Sequence, residues 1–355
     1  MAARTVGVEE EFLLVDPESG EPRAVSHLVL ARAGDVDLTD ELQREQVETA
    51  TRPCATLDEL GRELRRARAG AARAAEAAGS VLAALATSPL PVAPTLSTKD
   101  RYRRLARRFG LTVAEELTCG CHVHVAVDGD EEGVGALDRI RPWLAPLLAL
   151  TANSPYWQGD DSGYASYRSQ VWSRWPSAGP YAPFGTPEGY HGAVAAMLDT
   201  DTVLDRGMVY FDARLSADNP TLEVRVGDVC LDVDDAVLLA ALVRALVETA
   251  VRQWRAGEPP DPVRTDLLRL AAWRAGRTGL DGDLLDPGSW RPAPALDVVD
   301  RLVAHVAPAL EDAGDLATVR ELLAQLHRRG PGARTQRAAG DPRAAVAAAV
   351  RRTVA

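Results

Sequence analysis

Three short stretches of this chain alternate apolar and ionisable residues with the period of a β-strand: VGVEEEF at 6–12, CGCHVHVAV at 119–127 and TLEVRVGD at 221–228. Successive strand side chains leave opposite faces, so Cys121, Val123, Val125 and Val127 share one face while His122 and His124 share the other. By the same parity Leu222, Val224 and Val226 oppose Glu223 and Arg225, and Val6 and Val8 oppose Glu9 and Glu11. Each strand therefore has a core face and a chemically active face. Glu10 falls on the core face and needs either a sheet edge or a partner there. A further polar strand is predicted at 43–51, with Gln46 and Glu48 on one face.

Helical patterning predicts an Ala/Arg-rich helix over 57–79, a basic helix over 99–110 ended by Gly110, and further helices over 134–151 and 189–199. Residues 81–88 and 208–216 read as strands, 128–133 as an acid- and glycine-rich loop, and 328–342 as a Gly/Pro/Arg loop. From about 232 onward helices dominate, with breaks at 257–262 and 286–294. Residues 153–191 keep neither period and are rich in Trp, Tyr, Gly, Ser and Pro. Long irregular segments inside a compact chain are usually binding loops or lids. This one is expected to face substrate, with Asn153, Trp157, Tyr164 and Arg168 as contacts; a packed Ω-loop or an oligomer contact is the alternative. Strands and helices interleave without a βαβ rhythm. The expected fold is therefore α+β, a largely antiparallel sheet with a concave active-site face and helices on the other face. With no repeat or linker, residues 1–355 are expected to form a single catalytic domain.

Composition narrows the classes. The 355 residues are 46% hydrophobic and 26% charged, as in globular proteins, and the formal charge of −11 argues against nonspecific nucleic-acid binding. The opening residues lack the apolar core of a signal peptide, and the most apolar stretch, 236–251, carries Arg244 and Glu248. The expectation is a cytoplasmic protein with no membrane partner. Four cysteines are too few for a disulfide framework, and reduced thiols fit that compartment. Nothing in the sequence specifies an oligomer, for which a homodimer is the default.

Carboxylates and imidazoles without clustered thiolates suit Mg²⁺ or Mn²⁺. The CGCHVH run could bind zinc through both cysteines and both histidines only as a loop, because a strand separates the pairs onto opposite faces. Neither common phosphate loop, GxxxxGK[ST] or a strand-borne GxGxxG, is present, so a nucleotide would rest on the sheet face and its metals. Glu9, Glu11, Glu48, His122 and Glu223 supply ligands for two or more ions, and Arg225 stands beside Glu223 on the same face.

GVEEEFLLVD, GCHVHV, YFDARLS with TLEVRVGDV, and the late GARTQR resemble, in that order, the bacterial carboxylate-amine ligase family also called glutamate-cysteine ligase type 2. That resemblance implies a catalytic domain like that of glutamine synthetase. It also implies an ATP-dependent ligase, in which a substrate carboxylate is phosphorylated and an amine displaces the phosphate, with glutamate and cysteine or a related pair as the expected substrates. By position, Glu9, Glu11, Glu48, His122 and Glu223 resemble the metal ligands and His124 and Arg225 the ATP-phosphate contacts, with Glu223 and Arg225 carrying catalysis. Arg214, Arg334 and Arg337 would be further phosphate or substrate-carboxylate contacts. Phe211 stands where Trp is common and Ala126 where Gly is common, which bears on substrate shape. Two other readings keep the same metal face: a phosphotransferase to a nitrogen acceptor, and a nucleotide-sensing protein without turnover.

Overall fold

In the computed structural model, which describes residues 3–34 and 36–355, the alternating stretches are strands of one antiparallel sheet. Its seven strands are β1 (Val6–Val15), β2 (Leu38–Asp40), β3 (Gln46–Ala50), β4 (Val81–Ala83), β5 (Gly120–Ala126), β6 (Ala213–Leu215) and β7 (Thr221–Asp228). They run in the order β2-β3-β1-β5-β7-β6, and β4 pairs with the far end of β1.

The apolar faces behave as their parity requires. Val6, Val8, Val123, Val125, Leu222 and Val224 are buried in one core against a helical layer. That layer comprises α1 (Leu57–Ala77), α2 (Asp130–Ile140), α3 (Leu144–Thr151), α4 (Val233–Arg255), α5 (Thr265–Thr278) and α6 (Ala295–Ala313). Among these, α4 contacts β1 and β5 on one side and α1, α2 and α6 on others, so it is buried nearly all round. Two ionisable residues in its apolar middle are matched by partners: Arg244 pairs with Asp315, and Glu248 accepts from Arg4 and Arg252.

Glu10 finds a partner rather than an edge. Arg68 of α1 grips it with two hydrogen bonds of 2.6 and 2.9 Å, and both side chains are fully buried. The guanidinium also donates to the carbonyls of Cys230, Leu231 and Thr353, so one side chain ties together β1, the exit of β7 and the C-terminal helix.

Several elements differ from their sequence expectation. The stretches 81–88 and 208–216 keep only three ladder residues each, at Val81–Ala83 and Ala213–Leu215. The supposed loop at 128–133 is already helical from Asp130, because three acids in the first turn complement the helix dipole. Pro142 lies in a 3₁₀ turn that divides α2 from α3. The 328–342 loop contains a short helix, Gly332–Ala338. No helix of the described residues is long and apolar enough to cross a membrane.

Candidate active site

The ladder registers set the polar residues in a row across the sheet. Glu48 of β3 lies opposite Glu11 of β1, Glu9 of β1 opposite His122 of β5, and His124 of β5 opposite Glu223 of β7, which in turn faces Arg214 of β6. Directly opposed like charges weaken a ladder unless something neutralises them, and Glu11 faces Glu48 across β1 and β3. The histidine rings approach Glu9 from β5, with His122 Nδ1 at 3.5 Å and His124 Nε2 at 3.3 Å from its two oxygens.

Three groups of ligand atoms converge here, each within 4.8 Å: Glu9, Glu48 and His122; Glu9, His124 and Glu223; and Glu11, Glu41 and Glu48. Both ring nitrogens of the buried His122, and Nε2 of His124, lack a hydrogen-bond partner among the described residues. Unpartnered buried imidazole nitrogen aimed at carboxylate oxygen is the donor set of a divalent-cation site. Electrostatics agree. Burial and the adjacent Arg225 hold His122 below its ordinary value, which favours the neutral imidazole with a lone pair free to coordinate. Burial, then Glu11, pushes Glu41 up to about 8, and burial, then Glu41 and Glu9, pushes Glu48 well above the carboxylate range. Burial and mutual repulsion favour protons on these carboxyls, with Arg225 pulling the other way on Glu41, and a bound cation would relieve that repulsion. Glu223 behaves oppositely: burial alone would raise it, but Arg225 and Arg214 hold it down at about 2.

Arg214 donates to Glu223 at 2.6 Å, and Arg225 pairs with its other oxygen while lying over the Trp172 ring at 5.8 Å. Arg225 Nε stays unpartnered, leaving donor capacity for an anion in the cleft. The cleft has two lobes that share Glu9, Gly207 and Arg214. One, of about 540 Å³, is lined by His124, Tyr190, His191, Arg206, Asn219 and Glu223. The other, of about 320 Å³, is lined by the acidic cluster with His122, Arg225, Trp172 and Tyr210.

The structure thus brings together Glu9, Glu11, Glu48, His122, His124, Arg214, Glu223 and Arg225. His124, expected at ATP phosphate, shares a possible metal group with Glu9 and Glu223. Arg168 reaches the neighbourhood, its guanidinium 5.6 Å from the centre of the Trp172 ring.

Five other expected contacts line neither lobe. Asn153 is fully buried, with its amide bonded to the carbonyls of Ala84 and Val229 and to Gln336, so it braces the fold. Trp157 and Tyr164 pack on Tyr167, and Tyr164 lies under Arg277. Arg334 pairs with Asp281, and Arg337 with Asp161 at 2.7 Å, on a surface lined by neither lobe's residues. Two residues went unforeseen. Glu41 sits just past β2, in the turn to β3, and Glu116 just before β5; both line the acidic lobe where no strand period fixes side-chain direction. The Cys121 thiol lies on the core face, and no possible metal group of the described residues includes a cysteine.

A family model described as glutamate-cysteine ligase family 2 matches residues 5–354. The chain is 57% identical over 339 residues to "Putative glutamate--cysteine ligase 2-1" of Streptomyces avermitilis, covering 94% of each chain. It is 56% identical over 359 residues to "Putative glutamate--cysteine ligase 2" of Streptomyces coelicolor, covering 99% of each. Among solved structures, a bifunctional glutathione synthetase from Pasteurella multocida superposes with a TM-score of 0.72 at 16% identity, over 99% of this chain and 52% of that one. A glutamate–cysteine ligase from Francisella tularensis superposes with a TM-score of 0.69 at 12% identity, over 100% of this chain and 89% of that one. These distant structures share the fold; the sequence matches give the family. The chain belongs to glutamate-cysteine ligase family 2 and is an ATP-dependent amino-acid ligase.

Proposed function

We propose that this chain, acting as a single catalytic domain, joins the side-chain carboxylate of glutamate or a related amino acid to an amine through an acyl phosphate. The observation that carries this reading is the row Glu48, Glu11, Glu9, His122, His124, Glu223 and Arg214 across four ladders, with Arg225 beside it. Glu9, Glu11, Glu41, Glu48, His122, His124 and Glu223 would hold Mg²⁺ or Mn²⁺, which neutralises phosphate charge when bound. The larger polar lobe takes the nucleotide, and the acidic lobe beside Arg225 takes the amino acid. A carboxylate oxygen attacks the γ-phosphorus, the bond to the ADP oxygen breaks, and the acyl phosphate stays against Arg225 and Arg214. Both guanidiniums are pre-positioned by Glu223, so they stabilise developing charge with little reorganisation. Amine nitrogen then displaces phosphate from the acyl carbon. No enzyme nucleophile is needed; catalysis is positioning and electrostatics.

Incubating the protein with ATP, Mg²⁺, hydroxylamine and a panel of amino acids should yield a hydroxamate from at least one acid. Arg225→Ala should lower that yield by roughly 100-fold or more with the circular dichroism spectrum retained. Phosphate appearing on a stable nitrogen product, or no hydroxamate from any acid, overturns the ligation chemistry.

A further inference from the structure

A third cavity, of about 240 Å³, opens on the far side of Arg225 and Trp172, and those two residues line both it and the acidic lobe. Its walls are mainly apolar, with Leu148, Phe211, Leu268 and Ala272 among them, and Trp273 stands at its mouth, 47% exposed. One acid lies in this wall. Asp212 bonds through its backbone to Gly179 and Arg225, which fixes its position immediately before β6, but its carboxylate makes no side-chain hydrogen bond or ion pair among the described residues.

We propose that this cavity seats the acceptor amine and that the Asp212 carboxylate takes the proton from its ammonium group. The assignment rests on the ligase reading above and adds where the second substrate enters and what activates it. An amine arrives at neutral pH as R–NH₃⁺, which has no lone pair for attack. Asp212 accepts one proton, and the freed lone pair forms the C–N bond at the acyl carbon. The C–O bond to phosphate breaks, and the departing phosphate carries off the second nitrogen proton as HPO₄²⁻. Asp212 afterwards returns its proton to solvent.

The surroundings suit that exchange. Burial pushes the Asp212 carboxyl up to about 7, while Arg269 and Arg168 pull against the shift, so it is poised to exchange a proton near neutral pH. Four cations line the cavity with it. Arg141 is spent on the carbonyls of Asp138, Tyr181, Asp261 and Val263, and Arg225 is held by Glu223 with its free Nε assigned above to the acyl phosphate. Arg168 has an unpartnered Nε, and Arg269 stands exposed near the mouth; both have donors for an acceptor carboxylate. The occupant is therefore an amine or α-amino acid with a compact apolar body.

The test exploits hydroxylamine, which is largely a free base at neutral pH and needs no proton removed. With the acid that gives the strongest hydroxamate, wild type and Asp212→Asn are compared with hydroxylamine and then with L-cysteine or n-propylamine as acceptor. Asp212→Asn should keep hydroxamate formation within about threefold and lose amide formation by roughly 100-fold. The rise of wild-type amide kcat/KM through pH 7 should vanish with it. Ala272→Phe, which fills the cavity, should raise the acceptor KM by about tenfold and leave hydroxamate formation intact. Equal loss in both reactions, or no loss in either, overturns the assignment alone. A wild type that makes no hydroxamate from any acid overturns the ligase reading and this assignment with it.

Discussion

Glu116 shows how far a single side chain's chemistry departs from what its letter suggests. It is 4% exposed in the wall of the acidic lobe, accepts from the Thr118 hydroxyl, and leaves its other oxygen unpartnered. Burial pushes its carboxyl from 4.5 up to about 7. The folded protein therefore holds this proton more tightly than the unfolded chain does. That stability is present in full below pH 4.5 and is lost as pH rises through 7. Glu116→Gln, which cannot ionise, should match wild type in urea denaturation at pH 4.5 and exceed it at pH 8 by about 3 kcal/mol or less. A difference independent of pH would show that the carboxyl is not held protonated by the fold. Strand parity made Glu9, Glu11, Glu48, His122, His124, Glu223 and Arg225 legible in the sequence, because a period of two fixes direction. Glu41 and Glu116 lie in turns, where direction depends on contacts that no local pattern records. Asn153, Arg334 and Arg337 failed for a related reason. Residue type announces donor capacity, whereas the carbonyls of Ala84 and Val229 take the donors of Asn153, and Asp281 and Asp161 take those of Arg334 and Arg337.

At the scale of elements, the irregular segment after α3 is tied to the sheet by one buried carboxylate. Asp228, the last residue of β7, accepts from the Asn153 backbone N–H at 2.8 Å, the Ser154 hydroxyl at 2.7 Å and the Ser166 hydroxyl at 2.8 Å. Those bonds hold the segment that carries Arg168 and Trp172 against the site. Asp228→Ala leaves three buried donors without an acceptor, each worth about 1–3 kcal/mol when unsatisfied. Hydrogen exchange should accelerate first over residues 153–172, and kcat/KM should fall although Asp228 touches neither lobe. Uniform acceleration across the whole sheet would instead make Asp228 a general stability residue. The composition of this segment foretold its irregularity and not its anchoring, since an Asp ending a valine-rich strand carries no mark of the serines it will meet 60 to 75 positions away. The shortened strands have a similar origin. Residues 84–88 are buried as fully as β4, but they run among loops, bonded to Thr353, Tyr156 and Leu90 and touching Thr118 through a single bridge rather than a ladder.

For the whole molecule, the cost of the polar row is that the sheet brings acids together on the face opposite its core. The valine stripes of β1, β5 and β7 fix the ladder register, because a slip of one residue would bury the carboxylates and expose the valines. Stability of the apolar core thus holds the acids close despite their repulsion, and anything that neutralises them should stabilise the entire fold by linkage. Mg²⁺ or Mn²⁺ at about 100 times its dissociation constant should add roughly 2.7 kcal/mol, raising the melting temperature by a few degrees, and EDTA should reverse it. A Glu11→Gln/Glu48→Gln variant removes the facing carboxylates. It should melt higher than metal-free wild type and gain less from the ion, whereas NaCl at matched ionic strength should reproduce little of the wild-type gain because screening acts weakly on buried charge. An equal response of wild type and variant to Mg²⁺ would mean that the ion binds outside the row, and the site would then have to be sought on another face of the protein.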